Sequence, residues 1–135
     1  MNNQEHILIK ESSDVIRARQ MGRKMTKDIG FGSADQTRLA TAISELTRNI
    51  IEYAGEGICD LQIISDQNNI GLKVTVEDKG PGITDIESAM KDGYTTGGGL
   101  GAGLPGTKRL VTSFDLQSEP GHTKITIELM RRKII

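Results

Sequence analysis

Three clusters in this 135-residue chain combine residue types and spacings that could do chemistry. Glu45 and Asn49 stand four residues apart, so a helix would carry the carboxylate and the amide on one face, one turn from each other. Placed at about 100° per residue, Glu45, Asn49 and Glu52 fall in a narrow band at the edge of an apolar stripe centred on Leu39, Leu46, Ile50 and Tyr53. A band between core and solvent suits the wall of a cleft. A solvated flank with an Arg48–Glu52 pair also accounts for it.

The second cluster, Asp78-Lys79-Gly80-Pro81-Gly82, closes a run in which Leu72, Val74 and Val76 alternate with Lys73, Thr75 and Glu77. Alternation carries Asp78 to the inward side with the apolar residues. A carboxylate there, beside glycines that let backbone approach a ligand closely, can accept a hydrogen bond from an amino or amide donor. The other reading is a tight turn whose Asp caps local N–H groups.

The third cluster lies in the stretch Thr95 to Gly106. Nine of the chain's 16 glycines fall between Gly80 and Gly106, a composition that by itself describes a linker. Glycines ahead of a helix also let backbone N–H groups converge on phosphate oxygens. A Walker loop needs Lys directly after its last Gly and then Ser or Thr; here Gly106 is followed by Thr107 and only then Lys108, so that motif fails. Gly101-Ala102-Gly103-Leu104-Pro105-Gly106 has the G-x-G-x-x-G spacing of a dinucleotide site. No strand precedes it, however, and the two that follow are too few for that fold.

The elements that must position these residues can be read from periodicity and punctuation. A strand at His6–Lys10 precedes a helix over about 14–29, with Ser12 or Ser13 as N-cap and Gly30 as its stop. A longer helix over about 34–54 opens on a Ser33–Gln36 capping box and ends at Gly55 and Gly57. Ile58–Ser65 and Ile70–Asp78 form a hairpin across residues 66–69. A short helix at Asp85–Lys91, a helix over about 104–112 and a closing hairpin of Phe114–Ser118 and Lys124–Leu129 complete the chain, the last turn spanning Glu119–Thr123. Hairpins rather than alternating βα units predict an α+β fold: a two-layer sandwich of a mixed, largely antiparallel sheet with helices on one face, in one domain over 1–135.

Composition narrows the function classes. Lys and Arg number 17 against 18 Asp and Glu, a net charge of −1, and aromatics are 3% with no Trp. That balance argues against phosphate-driven nucleic-acid binding and leaves little surface for base stacking. No apolar run reaches the roughly 18 residues of a membrane span, and the polar start MNNQEH does not read as a signal peptide, so the expected location is the cytoplasm with no membrane partner. The single Cys59 sits in a strand and reads as packing, consistent with a reducing compartment. His6 and His122 stand apart from any ligand cluster.

Taken in order, Glu45-x-x-x-Asn49, Asp78-x-Gly80-x-Gly82, the Gly97–Gly103 run and Gly121-His122-Thr123 resemble the N, G1, G2 and final boxes of the GHKL ATPase/kinase superfamily, over essentially the whole chain. With so short a segment between its glycine boxes, the chain is most similar to the single-domain anti-sigma-factor serine kinases, in particular the stressosome switch kinases. The resemblance implies the Bergerat, or histidine-kinase-like, ATPase fold and the cofactors ATP and Mg²⁺. It implies that Glu45 is the general base, that Asn49 ligates Mg²⁺, and that Asp78 accepts from the adenine amine with Thr123 in support. Gly80 and Gly82 would leave the base edge open, and Gly97, Gly98, Gly99, Leu100, Gly101, Ala102 and Gly103 would close over the phosphates. Lys108 and Arg109 would add charge there, or belong to a solvated helix face. Implied partners are STAS-domain substrates of the RsbS and RsbR kinds and an RsbU-like phosphatase. An ATP-dependent anti-sigma-factor binding switch without essential kinase chemistry is the alternative.

Overall fold

The computed structural model describes residues 3–83, 90 and 103–133. Strand β1 (Gln4–Ile9) is followed by helices α1 (Ser12–Asp28) and α2 (Ser33–Ala54) and by strands β2 (Gly57–Ser65) and β3 (Asn69–Asp78). A short helix α3 (Gly103–Arg109) then precedes the closing hairpin of β4 (Ser113–Glu119) and β5 (His122–Arg132). The expected helix at Asp85–Lys91 lies outside the described residues, apart from Met90.

The five strands form one sheet in the order β1-β2-β3-β5-β4. Every pairing in it is antiparallel, where a mixed sheet was expected. The pairs β2–β3 and β4–β5 are hairpins, β1 reaches β2 by way of α1 and α2, and β5 adds to β3 in the antiparallel sense. Alternation holds along β3 and β5: Leu72, Val74 and Val76 meet Leu129, Ile127 and Ile125 across the central ladder and face the helices. Fully buried Leu39, Ile43, Leu46 and Ile50 of α2 press on that surface, joined by Ile9 and Leu61. Burying a large aliphatic side chain contributes about 1.5–3 kcal/mol, so α2 is fixed to the sheet by its own apolar stripe. No described helix is long and apolar enough to cross a membrane.

The ends of the elements differ from their expected punctuation. Helix α1 is capped at Glu11 rather than at Ser12 or Ser13, because the Asp14 carboxylate turns back to accept from the backbone N–H groups of Lys10 and Glu11 at 3.0 and 3.2 Å. Helix α2 starts from Gly32, and Gln36 donates its amide to the Phe31 carbonyl at 2.8 Å instead of closing a box with Ser33. The final hairpin turns on Pro120 and Gly121 alone, since Glu119 already pairs with His122. Tyr53, expected within the buried stripe, is 40% exposed.

Candidate functional site

Helix α2 packs on the sheet and carries Glu45 and Asn49 one turn apart; Glu45 lines a cleft against α1, and Asn49 is not among the residues that line it. Both are intermediate between core and solvent. The Glu45 side chain is only 13% exposed, and its Oε1 accepts from Arg48 Nη1 at 3.2 Å. Arg48 therefore turns back to Glu45 rather than forward to Glu52. Burial pushes the Glu45 carboxyl above its ordinary value; the Arg48 guanidinium opposes this, and the charge of Glu52 reinforces it. A carboxylate with raised pKa is a better proton acceptor at neutral pH than one in free water.

The Asp78 cluster is seated directly against the same helix. A Cβ placed on Gly57 would stand 2.8 Å from Ile50 Cγ2 and 3.2 Å from Asp78 Cβ, so the end of β3 lies beside the turn of α2 that follows Asn49. Asp78 is half-buried on the helix side of the sheet, and its Oδ1 accepts from the Gly80 N–H at 2.9 Å. Local capping and an inward-facing carboxylate thus hold together: one oxygen shapes the loop.

Gly80 and Gly82 have a packing reason of their own. A Cβ at Gly80 would come within 2.7 Å of Ala54 Cβ. At Gly82, where φ is +83°, it would come within 2.3 Å of the Glu119 carbonyl oxygen. Only glycines allow the loop to be wedged between the end of α2 and the final hairpin.

Thr123 lies directly opposite Asp78 in the β3–β5 ladder and is 8% exposed. Its Oγ1 is 2.8 Å from Ser118 Oγ, which accepts from the Ile83 N–H at 2.7 Å. Ser118 was not among the residues singled out from sequence. It becomes legible once the two-residue turn at Pro120-Gly121 is known, because that turn pairs Ser118 with Thr123. The arrangement ties the Asp78 loop, β4 and β5 into one unit.

Of the glycine run, Gly97 to Gly101 and the intervening Leu100, together with Ala102, lie outside the described residues. Gly103 opens α3, which packs against α2 and buries Leu104, Pro105 and Thr107. Lys108 and Arg109 are exposed on its far side. Cys59 is fully buried and its thiol is pushed up to about 12 by burial, so it is a core residue and not a nucleophile. His6 pairs with Asp60, and His122 Nε2 with Glu77 Oε2 at 2.6 Å. Among the described residues no group of three or more His, Cys, Asp or Glu could hold a metal ion.

The donor set fits an adenine nucleotide. An inward carboxylate facing a threonine hydroxyl offers acceptors to an exocyclic amine, and the Asn49 carbonyl oxygen is the hard ligand that Mg²⁺ prefers.

Known proteins carry the same architecture. Residues 34–133 match the family described as histidine kinase-, DNA gyrase B-, and HSP90-like ATPase. The chain is 51% identical over 121 residues to the serine/threonine-protein kinase RsbT of Bacillus subtilis (strain 168), covering 90% of this chain and 91% of that one. Among solved structures, that of the RsbU and RsbW domains of a Mycobacterium tuberculosis protein superposes with a TM-score of 0.67 at 19% identity, over 96% of this chain and 33% of that one. The nucleotide-free catalytic domain of the histidine kinase ThkA gives 0.57 at 16% identity, over 93% and 97% of the two chains. These distant likenesses establish the fold, and the close relative narrows the family. The chain belongs to the histidine kinase-, DNA gyrase B- and HSP90-like ATPase family, as a kinase.

Proposed function

We propose that this kinase phosphorylates serine or threonine hydroxyls on STAS-domain regulatory proteins of the RsbS and RsbR kinds, within a bacterial stress-response partner switch, and that it also engages an RsbU-like phosphatase. The observation that carries the reading is Glu45: a carboxylate mostly withdrawn from water, with a raised pKa, one helical turn before Asn49 and on the helix that seats the Asp78 loop. The relative that shares half of its residues is a serine/threonine-protein kinase.

Each residue has a task in such a transfer. When bound, Mg-ATP supplies the phosphoryl group and much of the charge neutralisation, because phosphoryl transfer is mostly positioning and electrostatics. Asp78 and Thr123 would hold the adenine edge, and Asn49 would give Mg²⁺ a protein oxygen. Gly97 to Gly103 are assigned to the phosphates on sequence grounds. Glu45 would orient the acceptor hydroxyl and take its proton as the new P–O bond forms and the bond between the γ-phosphorus and the bridging oxygen breaks, with ADP as the leaving group. Arg48, hydrogen-bonded to Glu45, limits the carboxylate's rotation and stabilises it once the proton has moved on.

Incubation of the purified chain with labelled ATP, Mg²⁺ and STAS-domain proteins, followed by mapping of the labelled residue, tests the reading. Label on a STAS serine or threonine is expected. Intact ATP binding with no label on any of them would leave the binding-switch alternative.

A further inference from the structure

Between α1 and α2 runs a cleft of about 410 Å³ whose lining, apart from Glu45 and Arg48 at one end, the proposed chemistry does not use. Arg19 and Arg23 line it from α1, and Thr37, Glu45 and Arg48 from α2. Arg23 Nη2 donates to Thr37 Oγ1 at 3.3 Å, which marks one end; Arg48 and Glu45 mark the other. With three guanidinium groups and one carboxylate, the cleft is locally cationic on a chain whose net charge is −1. Ile16, three residues before Arg19 on the same side of α1, is 45% exposed. An apolar side chain beside arginines and hydroxyls suits a polypeptide better than a free anion.

From Thr37 to Arg48 the helix rises about 16 Å, which matches about five residues of extended chain. The end of this track is the candidate base itself. We infer that the α1–α2 cleft is the docking groove for an acidic, extended segment of the protein substrate, laid along Arg23 and Arg19 so that a hydroxyl residue at its end arrives at Glu45. This rests on the kinase reading and names how its substrate is held. Arginine forks pair with carboxylates in two-pronged geometry, so an Asp- or Glu-rich segment is the complementary occupant.

Two measurements on the full chain separate this inference from the kinase reading. In the first, an Asp- and Glu-rich dodecapeptide containing one serine is titrated into labelled protein and followed by amide NMR. Shifts should cluster at Arg19, Arg23, Thr37 and Glu45 and disappear in R19E/R23E; shifts centred elsewhere, or none, overturn the groove. In the second, phosphotransfer to a STAS-domain protein is measured for the parent, R19A/R23A and R19E/R23E. KM should rise in that order, by about tenfold or more for the charge reversal, with kcat and nucleotide affinity nearly unchanged, and the parent's KM should rise with salt. An unchanged KM in an active, folded R19E/R23E overturns the groove and leaves the kinase reading standing. A parent that transfers no phosphate overturns the kinase reading, while the peptide titration still decides whether the cleft takes an acidic segment.

Discussion

Glu45 bears an energetic cost that a surface carboxylate would not. Burial raises its folded pKa above its unfolded value, so the protonated form is favoured by folding. The associated stability is fully present below the ordinary carboxylate range and is lost as pH rises through the raised folded value. Glu45→Gln removes this titration. Its melting temperature should exceed the parent's at about pH 7, and the difference should shrink towards about pH 4, by thermal denaturation. The same substitution should slow phosphotransfer by about 10²–10⁴ while ATP affinity stays near the parent's, as expected for a lost general base. A variant that is more stable, binds ATP and still transfers at the parental rate would remove Glu45 from the chemistry. Asp78 should divide differently: Asp78→Asn keeps the Gly80 turn, since the amide oxygen still accepts, but presents an N–H to an adenine amine that itself donates. Calorimetry should show a large loss of ATP affinity with the fold intact.

At the scale of elements, α2 joins core and site. Its apolar stripe is set by Leu39, Ile43, Leu46 and Ile50, its flank carries Glu45 and Asn49, and its last turn holds Gly80 against Ala54. Gly80→Ala would drive a Cβ into Ala54 from 2.7 Å, and backbone on both sides limits the relief. It should lower ATP affinity by displacing the Asp78 loop, with a stability loss of about 1–3 kcal/mol. Ser118→Ala should mimic it from the other side, because the Ile83 N–H and Thr123 hydroxyl both lose a partner, at about 1–3 kcal/mol for a donor left unsatisfied. What the sequence discloses here follows period. Alternation places Asp78 inward, and three-to-four spacing places Glu45 and Asn49 at a stripe's edge; both hold in the structure. What it hides depends on partners distant in the chain or on competition among local caps. Asp14 outbids two serines for the start of α1, because a charged acceptor satisfies two backbone donors at once. Tyr53 falls outside the buried stripe, while Ala54 beside it meets the Asp78 loop at Gly80. Ser118 gains its role only from the register of a hairpin whose turn is three residues shorter than composition suggested.

At the scale of the whole molecule, the candidate nucleotide residues are drawn from α2, from the end of β3 and from β5, and these are also the elements that bury the core. A ligand bridging them stabilises the layer contact itself and not a peripheral loop. Mg-ATP at about a hundred times its dissociation constant should therefore add about 2.7 kcal/mol to global stability, a rise in melting temperature of about 10 °C for a domain of this size. GTP at the same concentration should add far less, because it presents a carbonyl where adenine presents an amine and would set an acceptor against the Asp78 carboxylate. Native-state hydrogen exchange locates the effect: the slowest amides of β3, β5 and α2, which exchange only through global opening, should slow in step with the calorimetric shift. A melting temperature that rises while those core amides keep their rates would mean that the nucleotide stabilises a local unit only. The Gly80–Ala54 contact would then not transmit binding to the core, and Gly80→Ala should leave the thermal response to Mg-ATP unchanged. With the contact in place, Gly80→Ala should reduce both the thermal shift and the protection together, whereas R19A/R23A, on α1 and outside the candidate nucleotide residues, should leave both at parental values.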